Sequence, residues 1–158
     1  MDHSLKIGLS FGSSSAIITT LGLMVGLYSG TGSKLAVIGG ILVIAIADAF
    51  SDAVGIHISE EAENKHTPKE IWLATLFTFL FKFIFSIIFI IPVLAFNLPI
   101  AMLVSVIWGL FLLSIVSFYL ARQQKEKAWK VISEHLAIAL VVIALTHLVG
   151  GWINTTFG

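Results

Sequence analysis

Leu35 to Ile58, LAVIGGILVIAIADAFSDAVGIHI, decides how this chain folds. From Leu35 to Ala47 it holds only Leu, Ala, Val, Ile and Gly, then two aspartates interrupt it, Asp48 and Asp52. A helix that crosses a bilayer needs about 20 mainly apolar residues, and this stretch supplies them. An ionised carboxylate within the bilayer costs roughly 3 kcal/mol on insertion scales and marks a site with a use. At i and i+4 the two carboxylates share one helix face. Two oxygen donors there attract a cation, a proton or a basic partner, which points to transport, proton relay or adhesion between helices.

The rest of the chain agrees with a membrane setting. Of its 158 residues, 58% are hydrophobic and 11% charged, where soluble domains carry about 25% charge. Cysteine is absent, so disulfides and thiolate metal sites are excluded, and the zero net charge offers no argument for nucleic acid. A short polar start before a Ser- and Gly-rich apolar stretch lacks the pattern of a cleaved leader. Five spans are expected, at about residues 7–28, 35–58, 71–96, 98–121 and 131–153, giving an all-α, polytopic protein of one domain. The connectors SGTGSK, SEEAENKHTPKE, Asn97 and RQQKEKAWK leave no room for a soluble domain.

With five spans, the N-terminus and the second and fourth connectors fall on one side, together with Lys6, Lys65, Lys69, Arg122, Lys125, Lys127 and Lys130; the other side holds only Lys34. This lysine and arginine bias predicts a cytoplasmic N-terminus. The chain is then an integral multi-pass protein of a prokaryotic plasma membrane or an organelle membrane. Trp72, Trp129 and Trp152 stand at span ends, as interfacial anchors do. Pro92 and Pro99 bracket the turn between spans three and four.

Along the second span, Asp48, Asp52, Gly55, Ser59, Glu60 and Glu63 follow roughly one stripe, with Ser51 and His57 to its sides. Carboxylate oxygens suit divalent ions and imidazole adds affinity for iron, manganese or zinc. The candidate metal residues are therefore Asp48, Asp52, His57, Glu60, Glu61 and Glu63. Ser14, Ser15, Thr19, Ser51 and Lys82 are candidates to line a polar path, although hydroxyls more often bond back to their own helix. Lys82, inside span three, has a competing role: it can pair with Asp48 or Asp52 and join two helices, or serve as a built-in counter-ion that leaves when a metal enters. Gly8-Leu9-Ser10-Phe11-Gly12 fits the G-x-S-x-G elbow of serine hydrolases, but that elbow joins a strand to a helix, and no enzyme is expected here. The fourfold spacing of Gly8 and Gly12, and of Gly22, Gly26 and Gly30, allows close helix contact, either within the bundle or across a homodimer. Five helices are few to enclose a polar pathway, which favours the dimer slightly.

FGSSSAIITTLGLMVGL, residues 11–27, followed by ADAFSDAVGIHIS, residues 47–59, resembles the vacuolar iron transporter family, whose first two helices carry patterns like FGxxDGxxTTxxxxxG and ADxxSMAxGEYxS. Looser likeness runs through ATLFTFL and IIP in the third span and THLVG in the fifth. The resemblance implies a five-helix homodimer that moves ferrous iron, and often manganese, out of the cytoplasm in exchange for protons, with the metal as substrate and no resident cofactor. It also implies a path between protomers lined by the first two helices. The chain departs from the pattern at telling positions. Ser15 and Ala16 stand where the family has aspartate and glycine, Asp52 stands for methionine, and Ile56 and His57 stand for glutamate and tyrosine. Replacing a thioether by a carboxylate makes the site harder and shifts preference toward manganese, magnesium or calcium. Glu60, Glu61, Glu63 and His66 are at most a remnant of the glutamate-rich domain that many family members carry between helices two and three. The alternative expectation is a scaffold or sensor of the same fold that transports nothing, its aspartates neutralised by Lys82.

Overall fold

A computed structural model describes residues 3–158. The chain forms five helices long and apolar enough to cross a membrane: α1 (His3–Thr31), α2 (Lys34–Glu63), α3 (Pro68–Ala95), α4 (Leu98–Gln124) and α5 (Ala128–Phe157). Each runs several residues past the apolar stretch that announces it. The helix can continue because its polar ends are capped: the Ser33 side chain accepts from the Ala36 amide, and Asn97 does the same for Ile100. Thr67 and Glu70 close a capping box at the start of α3, with Pro68 in the first turn. Glycine at 32, with φ of 58°, ends α1 in the left-handed conformation that glycine adopts without strain.

Helix α3 is broken once. Ile88 and Phe89 turn between Pro68–Ile87 and Ile90–Ala95. Pro92 is the cause: it lacks the amide that would bond the Ile88 carbonyl, and its ring crowds that oxygen. Pro99, by contrast, sits in the first turn of α4, where a missing amide costs nothing. The G-x-S-x-G stretch is helical, forming a π-helical turn over Gly8–Gly12 in which Ser10 Oγ donates to the Lys6 carbonyl. No strand lies beside it among the described residues.

Helix α1 is the most enclosed of the five and α5 the least. Its small residues explain the position. A Cβ on Gly8 would lie 2.5 Å from the Phe77 Cβ on α3, and one on Gly22 would lie 2.7 Å from Val142 on α5. Gly26 meets Thr146, and Gly30 meets Gly150. The glycines that the sequence offers to a homodimer are thus covered within the chain by α3 and α5. In lipid, helices associate through such close backbone contact rather than through the hydrophobic effect. Ile17, Leu21 and Met24 of α1 form the core with Val37 and Ile41 of α2, Phe89 and Val93 of α3, and Leu113 of α4. A Gly150→Val substitution forces α1 and α5 apart, since a Cβ at 150 would lie 2.9 Å from Ser29 Cβ and 3.0 Å from the Gly30 amide. Overpacking of this kind costs about 1–3 kcal/mol. Thermal unfolding in detergent should show a lowered midpoint for this variant, while Gly151→Val, where a Cβ meets open space, should leave it unchanged.

Candidate functional site

Three helices meet at one ammonium group. On α3 the buried face repeats every fourth residue as Ala74, Thr78, Lys82 and Ser86. That repeat points Lys82 inward, and its side chain is 1% exposed. On α2 the buried stripe is Ala45, Ala49 and Ala53. Asp48 and Asp52 each precede one of its members, so they flank the seam between α2 and its neighbours, and their side chains are 28% and 22% exposed. Ser15 and Thr19 lie one turn apart on α1 and face them.

The Lys82 Nζ lies 2.7 Å from Asp48 Oδ2 and pairs also with Asp52 Oδ2. Its third contact is donation to Ser15 Oγ at 2.9 Å. The contacts to Asp52 and Ser15 are hydrogen bonds, and the contact to Asp48 is an ion pair. Ser15 Oγ in turn donates to Asp52 Oδ2 at 2.9 Å, and Thr19 Oγ1 donates to Asp48 Oδ2 at 3.2 Å. Every one of the contacts to the aspartates uses an Oδ2 atom. Among the described residues, the Oδ1 atoms make no hydrogen bond. With both acids ionised the cluster carries two negative charges against one positive, so one negative charge is left for a proton or a further cation.

Two openings reach this cluster from different sides. A cleft of about 350 Å³ between α1, α4 and α5 is lined by Ser10, Ser14, Ser15, Gln124 and His135. It approaches from the end of the bundle that holds the N-terminus and stops at Ser15. Ser14 Oγ is buried there without a hydrogen-bond partner. From the opposite half, an apolar groove between α1 and α2 runs past Leu27, Ala36 and Gly40 to Asp48 and Ser51. The two openings thus reach different members of the same hydrogen-bonded cluster.

The remaining candidates divide. Ser14, Ser15, Thr19, Ser51 and Lys82 all lie in or beside the cluster or its openings. His57 does not join Asp48 and Asp52: its Nδ1 is 2.9 Å from Thr75 Oγ1, and its ring packs on Trp72. Since Thr75 Oγ1 already donates to the Ile71 carbonyl, it accepts from His57. Glu61 and Glu63 are exposed, and Glu63 pairs with Lys65 at 3.3 Å. Glu60 is buried, yet it turns toward His3 and His66 at the helix end, away from the aspartates. The stripe drawn along α2 is therefore two separate centres. His147 is hydrogen-bonded to Ser29, with Oγ and Nδ1 2.6 Å apart, on an exposed face of α5. His135 bonds Ser117 in the same way at 2.8 Å.

His3 is the site residue that sequence reasoning missed. It precedes the apolar stretch, and nothing in its own neighbourhood hints that α1 begins early enough to carry it to the end of α2. Neither a protein-family model nor a curated protein matches the chain.

Proposed function

We propose that this protein is a membrane transporter of divalent cations, of the iron and manganese class, exporting them from the cytoplasm in exchange for protons. The observation that supports this most is the charge imbalance at Lys82. Two membrane-embedded carboxylates face one ammonium, each keeps one oxygen unengaged, and the cluster stands where a hydroxyl-lined cleft and a groove from the other half approach each other. Lys82 holds a place that a metal would otherwise take, as a tethered counter-ion. An arriving cation binds the aspartates and displaces the ammonium toward Ser15, and the ammonium returns when the cation leaves. This cycle keeps the site from ever presenting two bare carboxylates to the bilayer.

The likeness of α1 and α2 to vacuolar iron transporters supports the same reading, as does the lysine and arginine bias, which favours a cytoplasmic N-terminus. In this arrangement a second copy packs against the outer face of α2, where Gly39 and Gly55 have open space around them. The two protomers would then face each other across the openings that lead to Asp48.

A second reading is favoured by a specific observation. Lys82 is almost fully enclosed and is held by Asp48, Asp52 and Ser15 together, which suits a permanent structural lock in a scaffold or sensor that transports nothing. Reconstituted vesicles decide between them. Iron(II), manganese(II), cobalt(II), magnesium(II) and calcium(II) are each presented to sealed proteoliposomes containing a pH dye. Saturable entry of one or more metals with a linked proton signal is the expected result, with manganese favoured over iron because both acids are hard oxygen donors. Folded protein that moves none of the five sinks the transport reading.

A further inference from the structure

The N-terminal end of the bundle carries a second centre, and it is built from three separate segments. His3 begins α1, Glu60 lies in the last turn of α2, and His66 sits in the connector before α3. His3 Nε2 is 3.0 Å from Glu60 Oε2, and His66 Nε2 is 3.5 Å from the same oxygen. The two imidazoles stack with centroids 4.1 Å apart and planes 17° from parallel. One nitrogen from each ring and one carboxylate oxygen therefore lie within 4.8 Å of one another.

We propose that His3, Glu60 and His66 form a binding site for a borderline divalent cation such as zinc or ferrous iron. The donor set is the first reason: imidazole nitrogen with one carboxylate oxygen suits these metals and is poorly matched to magnesium or calcium. The spacing is the second. Ligands around a tetrahedral zinc with bonds of about 2.0–2.1 Å stand ~3.3 Å apart, and the two nitrogen–oxygen separations here bracket that value. Preorganisation is the third. The Glu60 side chain is only 10% exposed, so its charge is aimed at the two rings rather than at solvent. Ser4 Oγ donates to the Glu70 carbonyl at 2.8 Å, which holds the start of α1 against the start of α3 and keeps His3 in reach. His3 is 45% exposed and His66 20%, leaving one side open for water as a further ligand and for metal entry. Bound metal would clip three segments together at the end of the bundle where the hydroxyl-lined cleft opens. The centre shares no residue with the Asp48–Lys82 cluster, so it does not depend on the transport reading.

Cobalt(II) added to the purified full-length protein, with no affinity tag present, tests this through its visible absorption, which reports nitrogen ligation and low coordination number. Zinc(II) follows as competitor. One cobalt per chain with this nitrogen-ligated absorption, displaced by zinc, is the expected result. His3→Gln and His66→Gln should each weaken binding by more than about tenfold, the loss typical even of an outer partner of a metal. Both substitutions replace side chains outside the core, and circular dichroism checks that helix content is kept. The Asp48→Asn/Asp52→Asn protein should give the same nitrogen-ligated cobalt absorption as the parent, which separates this centre from the intramembrane one. Absence of cobalt absorption, or absorption unchanged in both histidine variants, overturns the proposal.

Discussion

Vesicles reconstituted with Asp48→Asn/Asp52→Asn protein are expected to lose metal entry by more than about 100-fold, exceeding the 10–100-fold loss typical of an outer metal partner. The amides keep the shape of the carboxylates and can still accept from Lys82, Ser15 and Thr19, but they leave the Lys82 ammonium without a counter-charge, so thermal unfolding in detergent must first show that the variant is folded. What disappears is the negative charge. A divalent cation entering a low-dielectric site needs anionic ligands to replace its hydration, and amide oxygens supply only a dipole. Uptake of iron(II) and manganese(II), followed by a quenched indicator inside the vesicle, measures the loss. Retention of parental uptake by the double variant would move the transport site away from these residues. A single Asp52→Asn change carries further information. If the proposed likeness to vacuolar iron transporters holds, Asp52 replaces a methionine, so its loss should fall most heavily on manganese, the harder of the two metals.

The second large effect concerns Lys82. Lys82→Met removes a buried ammonium from two carboxylates that face it, leaving them without their counter-charge. Breaking a buried ion pair by deleting one partner costs about 3–5 kcal/mol, so the midpoint of thermal unfolding should fall sharply. Combining Lys82→Met with Asp48→Asn/Asp52→Asn should recover most of that loss, because the uncompensated charges are then gone as well. A lysine variant as stable as the parent would mean that the acids are not held as anions by Lys82.

Exchanging the charges, with Lys82→Asp and Asp52→Lys together, separates the two functional readings. A purely structural lock needs only one cation among two anions, and the exchanged protein keeps that count, so stability should be largely retained. A cation site needs its two acids on the face of α2 that the openings reach, and the exchange moves one of them to α3. Recovered stability with lost transport is the expected pairing.

The sequence alone determined the all-helical class, the five apolar spans and the charged residues that lie inside them. Those follow from local quantities. The length of an apolar run states whether a segment can cross a bilayer, and a charge inside it is conspicuous wherever the helix packs. Asp48, Asp52 and Lys82 were readable for that reason, and so was the prospect that they meet, since few other groups could answer a buried charge. The end points of the helices were less legible. Capping by Ser33, Thr67 and Asn97 carries the helix into polar sequence that hydropathy does not mark.

Tertiary structure decided which polar residues share a site. Glu60 and Asp52 lie on the same helix, yet one turns to His3 and His66 while the other turns to Lys82, because different neighbours cover the last turn of α2 and the turns before it. His57 stands apart from the aspartates since Thr75 and Trp72 of α3 hold its ring. The glycines of α1 equally suited a partner protomer or the chain's own helices, and only the packing of α3 and α5 against them chose. Spacing along a helix states which side chains share a face. What that face meets depends on residues far away in the chain, such as the 67 positions that separate Ser15 from Lys82, and the fold alone brings those together.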